Sequence, residues 1–273
     1  MHPLKDWPLQ ARRLIIGVLT DIDDTLTTDG AITADALAAL AALQAAGLYV
    51  IAITGRPVGW STPFALEWPV DAIVAENGAA AIFLNKNAGR SNEYGHVLLS
   101  KLYQQDESTR RANDRRMQRV ARRVMREVPG ARLSDDSPGR ETDMAVDHSE
   151  FTHLPAEQIA QVLRIMHGEG MNATVSSIHI NGWFGTHNKL DGARWIVREL
   201  LGRELNAEMD RWVYVGDSTN DQLMFEAFDN SVGVANVRRF EAQLTRAPRY
   251  ITEGERGAGF AEVSAALLAA RTA

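Results

Sequence analysis

The sequence predicts an α/β fold in which a parallel-sheet core carries an inserted α+β unit. In the first part of the chain, short apolar runs rich in β-branched residues alternate with helical patterns, which is the rhythm of a parallel sheet with right-handed crossovers. The same alternation returns near the end of the chain. Between the two stretches it is interrupted by about a hundred residues with a different pattern, which predicts an inserted unit.

The first stretch is predicted to contain three strands separated by helices. An apolar run over residues 14–19 is typical of a buried strand, and Tyr49–Ile53 and Ala72–Ala75 are the next two such runs. A helix is expected over residues 34–46, because the helical pattern there is followed by Gly47. The residues on its predicted buried face are Leu37, Leu40 and Leu43.

The interruption begins at residues 85–95, which are rich in Asn, Gly and Ser and predict a boundary loop. A long amphipathic helix is expected over Glu107–Glu127, with valines on one side and arginines on the other. Shorter elements are predicted in the order strand 131–133, strand 144–146, helix 155–168, strand 173–176 and strand 178–180. We therefore expect a core formed by residues 1–84 and 185–273 and an insert formed by residues 85–184.

The alternation of strands and helices resumes after the insert. The predicted elements are a helix over residues 190–201, a strand over 212–215, a strand over 231–234, an edge strand at Tyr250–Ile251 and a helix over 259–270. The strand over 212–215 resembles the first strand of the chain, because it also ends in a group of acidic residues.

Polar residues stand where several of the predicted core strands end. The carboxyl ends of parallel strands meet at one edge of a sheet, where ligands bind, so we expect these side chains to converge. Taken alone, the acidic segment after the first strand is equally compatible with a simple turn. The residues concerned are Asp21, Asp23, Thr54, Asp217 and Asp221.

Converging carboxylates need something to offset their charge. Three carboxylates at one point repel one another, so each resists ionisation, and a divalent cation relieves that conflict. An all-oxygen set of ligands favours Mg²⁺. Lys189 and the hydroxyl of Thr54 are suited to hold the oxygens of a phosphoryl group. The residues therefore indicate phosphoryl transfer at a magnesium site.

Taken together, these motifs resemble those of the haloacid dehalogenase superfamily, in the same order and the same strand context. The insert resembles the type 2 cap of that superfamily, found in sucrose-phosphatase, trehalose-phosphatase, mannosyl-3-phosphoglycerate phosphatase and the Cof-type sugar phosphatases. Residues 76–79 and 134–143 add to the likeness, the latter most of all to mannosyl-3-phosphoglycerate phosphatase. The motifs are D-x-D-x-T (Asp21, Asp23, Thr25), Thr54, Lys189 and G-D-x-x-N-D (Gly216, Asp217, Asn220, Asp221).

The resemblance implies a Rossmann-like core and a role for each motif. Asp21 would attack phosphorus and form an aspartyl-phosphate, and Asp23 would protonate the leaving oxygen and then activate water. Phosphate would be bound by Thr54, Lys189 and Asn220. Mg²⁺ would be held by Asp21, Asp217, Asp221 and the main-chain carbonyl of Asp23. The alternative roles for Asp221 are to orient Lys189 or to cap the helix that follows it.

The chain departs from the superfamily pattern at two positions. Asp24 stands where many relatives have Gly, which adds an acid whose role the sequence does not explain. Lys189 is followed by Leu190, whereas relatives commonly have Gly directly after the lysine. Neither departure touches Asp21 or Asp23, so both bear on the subfamily more than on the chemistry.

Substrate specificity is expected to come from polar residues of the insert and of the loop after the second strand. A cap sheet that faces the site would present alternate residues to the substrate, whereas a half-buried strand also needs a polar face for solvent. The arginines of the long helix are explained by a charged outer face, with anion binding as the alternative. The substrate-binding candidates are Arg56, Arg140, Ser177, His179 and Asn181.

Composition limits the function further. The net charge of −6 argues against a general nucleic-acid binder. The chain has no cysteine, which excludes disulfides and thiolate sites and fits a reducing compartment. Residues 1–13 lack the apolar core of a signal peptide and no stretch approaches a membrane span, so we expect a cytoplasmic protein without membrane contact.

We therefore predict a Mg²⁺-dependent phosphatase that acts on a small sugar phosphate or phosphorylated sugar conjugate. A cap that closes over the site would exclude large substrates. The alternatives are a phosphotransferase or phosphomutase, and a non-catalytic sugar-phosphate sensor. The identity of the sugar and the oligomeric state stay open at this point.

Overall fold

The computed structural model describes residues 1–85 and 99–272, and most of the predicted boundary loop at 85–95 lies outside the described residues. Strands and helices are numbered in chain order. The strands are β1 (His2–Pro3), β2 (Gly17–Thr20), β3 (Thr27–Thr28), β4 (Ala31–Ile32), β5 (Tyr49–Ile53), β6 (Ala72–Ala75), β7 (Ala80–Leu84), β8 (Leu99–Tyr103), β9 (Arg132–Leu133), β10 (Asp143–Asp147), β11 (Asn172–Val175), β12 (His179–Trp183), β13 (Trp212–Gly216), β14 (Ser231–Gly233) and β15 (Tyr250–Ile251). The α-helices are α1 (Leu9–Leu14), α2 (Ala34–Ala45), α3 (Val58–Glu67), α4 (Glu107–Glu127), α5 (Ala156–Gly168), α6 (Lys189–Leu201), α7 (Gln222–Ala227) and α8 (Arg256–Thr272).

The main sheet has the strand order β1-β15-β14-β13-β2-β5-β6-β7-β8. Neighbours from β1 to β6 in this order are parallel, and β7 and β8 are antiparallel additions. From β2 the chain moves to β5 and β6 on one side and later to β13, β14 and β15 on the other. This reversal leaves a crevice outside the carboxyl end of β2, which is where open α/β sheets bind ligands. The predicted α/β fold is confirmed.

A smaller antiparallel sheet lies in the predicted insert, with the order β11-β12-β10-β9. The helices α4 and α5 pack on it through a hydrophobic cluster of their own, separate from the two clusters of the main sheet. Members of this cluster include Val120, Val124, Val162, Met166 and Ile180. The arginines of α4 lie mostly on its outer side, as the amphipathic pattern predicts. This separate core supports the proposed division into a core and an inserted cap.

The structure corrects four details of the predicted elements. The apolar run that predicts the first strand is shared between two elements. Leu14 ends α1 and is 56% exposed, and the strand begins only at Gly17. Leu37 is 37% exposed, because α2 buries the side that carries its small alanines together with Leu40 and Leu43. Tyr250–Ile251 is not an edge strand, since β1 pairs outside it. Leu99–Tyr103 pairs with β7 in the main sheet, so we propose that the cap begins after it rather than at residue 85.

One buried carboxylate of the core holds the start of β10. Glu76 follows β6, and its Oε1 accepts hydrogen bonds from the N–H groups of Val58 and Glu141, both at 2.9 Å. Its Oε2 accepts from the N–H of Thr142 at 2.6 Å and from the Thr142 hydroxyl. Burial, followed by repulsion from Asp143, raises the pKa of Glu76 to about 7. Glu76 therefore links the end of β6 and the start of α3 to the segment that leads into β10.

A buried histidine lies on the segment that returns from the cap to the core. The ring of His187 stacks on Trp183 with centroids 5.6 Å apart, and the Trp183 indole N–H donates to the His187 carbonyl at 2.9 Å. Burial lowers the pKa of His187 to about 4, with the charge of Asp191 opposing the change. The folded protein therefore keeps this imidazole neutral at a pH where the unfolded chain takes up a proton.

This histidine makes stability depend on pH in a defined direction. Because its folded pKa lies below its ordinary value of 6.5, stability is expected to fall as the pH drops below about 6.5, by about 2 kcal/mol at pH 5. The variant His187→Phe keeps a ring against Trp183 but cannot take up a proton. Urea unfolding at pH 7 and pH 5 should show a smaller loss in His187→Phe than in the unmutated protein. An equal loss in both proteins would contradict this role of His187.

Over residues 1–85 and 99–272, none of the helices combines the length and the apolar character that crossing a membrane requires.

Candidate active site

The candidate site lies at the carboxyl ends of β2, β5 and β13. Asp21 and Asp23 follow β2, Thr54 follows β5 and Asp217 follows β13. The pairing of these strands places their ends side by side, and the N–H of Asp21 donates to the carbonyl of Val215 in β13 at 2.8 Å. The structure therefore brings the predicted strand-end residues together.

Lys189 connects two of the carboxylates. It is the first residue of α6, and its ammonium donates to Asp21 Oδ1 at 2.6 Å and to Asp221 Oδ1 at 2.7 Å. All three side chains are buried. Burial alone would lower the pKa of Lys189, but the charges of Asp21 and Asp221 outweigh it and raise the pKa above its ordinary value. The lysine is thus a fixed positive charge beside Asp21.

The carboxylates of Asp21, Asp217 and Asp221 lie close enough to repel one another. Burial raises the pKa of Asp21 to about 8, against the opposing charge of Lys189. Burial likewise raises the pKa of Asp217 well above its ordinary value, and repulsion from Asp21 and Asp221 adds to the effect. One oxygen from each of these three carboxylates lies within 4.8 Å of the others. A divalent cation among them would stabilise their ionised forms.

The donor set of the site fits such a cation. Asp217 Oδ2 accepts a hydrogen bond from the Asn236 amide at 3.1 Å, whereas Asp217 Oδ1 is buried without a hydrogen-bond partner. A buried carboxylate oxygen without a partner is costly, and a hard cation with oxygen ligands would supply that partner. Asp217, with Asp21 beside it, is therefore well placed to hold a divalent cation.

Asp221 has a different environment from the other two acids. Its Oδ1 accepts from the Lys189 ammonium and from the Tyr214 hydroxyl. Its Oδ2 accepts from the N–H groups of Asp217 at 3.0 Å and Ser218 at 3.2 Å. A carboxylate offers about four acceptor positions, so these four donors use its capacity. The geometry favours the role of orienting Lys189 over direct binding of a metal ion.

Asp23 lies beside Asp21 but faces a different set of partners. Its Oδ1 accepts from the Arg56 Nε at 2.9 Å, and its Oδ2 lies 3.5 Å from the Thr54 hydroxyl, which in turn accepts from the Arg56 N–H at 3.0 Å. Asp23 lines the open space next to the site. A carboxylate in this position is able to exchange a proton with a group bound in that space.

Arg56 joins this carboxylate to the cap. Its guanidinium also pairs with Glu150 at 2.8 Å and with Asp136 at 3.3 Å. Burial alone would lower the pKa of Arg56, but the charges of Asp23 and Glu150 outweigh it and raise the pKa. His179 reaches the same group, with its Nε2 2.7 Å from Glu150 Oε2. The predicted substrate residues Arg56 and His179 are therefore brought together around a glutamate that the sequence did not single out.

The loop that carries Glu150 is fixed by one aspartate. The carboxylate of Asp147 accepts hydrogen bonds from four successive main-chain N–H groups, which belong to Ser149, Glu150, Phe151 and Thr152. Burial opposes the ionisation of Glu150, but the hydrogen bond from His179 and the charge of Arg56 lower its pKa. The sequence signal for this anchor is an aspartate at a strand end followed by a short polar loop.

The other predicted residues divide into two groups. Ser177, Asn181 and Asn220 line a narrow crevice beside Asp21 and Asp23, and Asn220 Oδ1 accepts from the Ser218 hydroxyl at 2.9 Å. Arg140 lies deeper, because it pairs with Asp136 and Asp143 and donates to the carbonyl of Gly55 at 3.0 Å. Asn181 donates to the same carbonyl at 3.2 Å. The contacts of Arg140 favour a role in joining the cap to the core.

A larger cavity of about 550 Å³ opens from Asp23 and Asp217 between core and cap. Ser177, Ile178 and Glu150 line it from the cap side. Its size lies within the range of small-molecule sites. The sequence did not identify Asn236, which also lines this cavity. The signal available for Asn236 is its position just after β14, at the same edge of the sheet as the acids.

Residues 18–110 match the family of haloacid dehalogenase-like hydrolases, so the resemblance indicated by the motifs, and with it the prediction of a hydrolase, is confirmed. No curated protein sequence gives a significant match to the chain.

Solved structures align over most of the chain. A Thermoplasma acidophilum protein has a TM-score of 0.67 and 15% identity, covering 93% of this chain and 98% of its own. The sucrose-phosphatase of Synechocystis, solved with sucrose and phosphate, has a TM-score of 0.62 and 15% identity, covering 93% and 98%. A subclass IIB sugar phosphatase of the same superfamily has a TM-score of 0.58 and 15% identity, covering 92% and 96%. At these identities the structures show a shared fold.

Proposed function

We propose that this chain, which has the fold of the haloacid dehalogenase-like hydrolases, is a Mg²⁺-dependent phosphatase for a small sugar phosphate or phosphorylated sugar conjugate. The observation that carries the proposal is the arrangement around Asp21. Lys189 holds its carboxylate, Asp23 lies two residues away at the mouth of a cavity, and Asp217 offers a buried oxygen without a partner. A nucleophile, an acid and a cation site are thus adjacent.

In the proposed reaction the Asp21 carboxylate attacks phosphorus, and the bond between phosphorus and the leaving oxygen breaks. Asp23 gives its proton to that oxygen, which leaves as an alcohol. Asp23 then takes a proton from water as the water attacks phosphorus, which releases inorganic phosphate and restores Asp21. Lys189 offsets the charge of Asp21 and of the phosphoryl oxygens throughout. Thr54 and Asn220 are proposed to hold those oxygens as well.

Asp21, Asp217 and the main-chain carbonyl of Asp23 are the proposed ligands of Mg²⁺. The ion would supply positive charge for the phosphoryl oxygens and keep the buried carboxylates ionised. Asp221 is proposed to act through Lys189, because its oxygens are already saturated by four donors. In this proposal the fold itself keeps Asp21 and Lys189 in contact with each other and away from water.

The proposed substrate class rests on the cavity and on the cap. The cavity of about 550 Å³ is bounded by core and cap together, which limits the leaving group to a small molecule. Two of the structurally similar proteins are a sucrose-phosphatase and a subclass IIB sugar phosphatase, which supports a sugar phosphate as the substrate. The absence of cysteine supports the further proposal that the protein works in the cytoplasm.

Two other functions use the same fold. A phosphotransferase or phosphomutase would have to protect the aspartyl-phosphate from water and pass it to a sugar hydroxyl. A sensor of sugar phosphates would need neither a nucleophile nor an acid, and the adjacent Asp21 and Asp23 weigh against it. Release of inorganic phosphate in the absence of any acceptor distinguishes the proposed phosphatase from both.

We expect release of inorganic phosphate from a few members of a panel of sugar phosphates and phosphoglycerate glycosides. The release should require Mg²⁺ and stop when a chelator is added, because the proposed ion offsets the charge of the converging carboxylates and of the phosphoryl oxygens. Restoring Mg²⁺ in excess should restore the activity. Phosphate release that is equally fast in the chelator would contradict the metal requirement, and tight binding without any release would favour the sensor.

A further inference from the structure

Two residues beside the site share an unusual backbone conformation. Asp24 has a φ of 55° and Arg256 a φ of 53°, both in the left-handed region that side chains other than Gly rarely adopt. Such conformations persist where the surrounding structure imposes them, and they cluster at functional sites.

Buried Asn236 is hydrogen-bonded to the main chain of both residues. Its amide donates to the carbonyl of Asp24 at 2.9 Å, and its Oδ1 accepts from the N–H of Arg256 at 2.9 Å. The same amide donates to Asp217, one of the proposed metal ligands. Asn236 therefore fixes Asp24 and Arg256 relative to the catalytic centre.

The two side chains form an ion pair in the wall of the cavity. Arg256 Nε lies 3.0 Å from Asp24 Oδ1, and the side chains keep 24% and 20% of their surface exposed. Both line the cavity that also contains Asp23 and Asp217. A charged pair that is built on strained backbone and left open to a cavity is placed to contact what the cavity binds.

The charges of the cavity limit the chemistry of that ligand. Each of the three arginines in its described lining is already paired, Arg56 with Asp23 at 2.9 Å, Arg239 with Glu255 at 2.7 Å and Arg256 with Asp24 at 3.0 Å. A second anionic group on the substrate would therefore face arginines whose charge is already offset by an acid. The lining contains more acids than arginines, namely Asp23, Asp24, Asp29, Glu150 and Asp217.

We propose that Asp24 and Arg256 bind the hydroxyl groups of an uncharged, polyhydroxylated leaving group, an inference that rests on the proposed phosphatase function. The Asp24 carboxylate accepts hydrogen bonds from hydroxyls, and the Arg256 guanidinium donates to hydroxyl oxygens. Phe151 from the cap and Phe240 from the core add apolar surface to the same cavity, which suits the C–H face of a sugar ring.

The test compares the variants Asp24→Asn and Arg256→Gln on two substrates. One is the sugar phosphate that the unmutated protein hydrolyses best, and the other is 4-nitrophenyl phosphate, whose leaving group has no hydroxyl beyond the one it forms. Each variant should lower kcat/KM for the sugar phosphate by about 10-fold to 100-fold and leave that for 4-nitrophenyl phosphate nearly unchanged. Asp24→Gly, which suits the backbone conformation, should behave like Asp24→Asn. Matched controls outside the site are Asp229→Asn and Arg249→Gln, which pair with each other on the surface.

Three results would overturn the inference. Equal losses on both substrates would show that the pair only supports the structure, and no loss on either would show that it does not touch the leaving group. A preference of the unmutated protein for 3-phosphoglycerate, lost in Arg256→Gln, would show an anionic leaving group instead. Failure of the proposed function has a different signature, because the unmutated protein would then release phosphate from neither substrate, and both proposals would fall.

Discussion

Asp21→Asn is expected to lower the rate of phosphate release by a factor on the order of 10⁴ or more, while the fold is retained. The substitution keeps the size of the side chain but removes the nucleophilic oxygen charge that the proposed reaction needs. It also replaces one of the two charged acceptors of the Lys189 ammonium with a neutral amide oxygen, while the contact of Lys189 with Asp221 remains. The measurement is phosphate release under saturating Mg²⁺, with circular dichroism and urea unfolding to verify the fold.

The controls separate chemistry from general damage. Asp229→Asn makes the same change on an exposed surface carboxylate and should leave the rate unaffected. Asp23→Asn should also slow the reaction with a sugar phosphate, but less so with an aryl phosphate, whose leaving group depends less on protonation. Substantial turnover in Asp21→Asn would contradict the aspartyl-phosphate mechanism, since no other residue is proposed as the nucleophile.

The strand-end acids could be predicted from sequence because they depend on local pattern and sheet geometry alone. Asp21, Asp23 and Asp217 each follow a buried run, and a parallel sheet places such ends together without further information. The helix Glu107–Glu127 could be predicted for a similar reason, since its apolar stripe and charged face repeat along one element.

Contacts between core and cap could not be predicted in the same way. Glu150 meets Arg56 only because the cap loop folds over the site. Asp147 at a strand end can indicate that a turn follows, but it does not indicate what that loop contacts. Asn236 bonds to Asp217 and to Asp24, and Asp24 lies 212 residues away in the chain. Asp24 itself could be located but not explained, because its backbone angle and its partner Arg256 are properties of the folded state.

The sequence motif predicts the position of Asp221 but does not determine its role. The spacing of G-D-x-x-N-D places both acids near the proposed cation site, and oxygens of both lie within 4.8 Å of an oxygen of Asp21. Only the hydrogen bonds distinguish them. Asp217 has one oxygen without a partner, whereas Asp221 has four donors, from Lys189, Tyr214 and two main-chain N–H groups. The two acids therefore call for different experiments.

Asp221→Asn is expected to destabilise the protein by about 3 kcal/mol or more, because it removes one charge from a buried ion pair and leaves donors without an acceptor. The asparagine oxygen can still accept from two of the four donors, but its amide then faces the other two. Urea unfolding in the presence of a chelator measures the loss, since a bound metal ion cannot contribute under that condition. Phosphate release should fall as well, because Lys189 loses the group that orients it.

Two comparisons decide between this role and direct metal binding. Tyr214→Phe removes one of the four donors to Asp221 and should cost about 1 kcal/mol, so it gives the scale of a single hydrogen bond in this cluster. Asp229→Asn gives the change in the free energy of unfolding that the same substitution causes at an exposed carboxylate. If Asp221→Asn destabilises the metal-free protein no more than Asp229→Asn, the anchoring role is wrong. If instead the metal-free protein is strongly destabilised and its Mg²⁺ affinity changes little, Asp221 acts through Lys189, and the cation depends on Asp21 and Asp217.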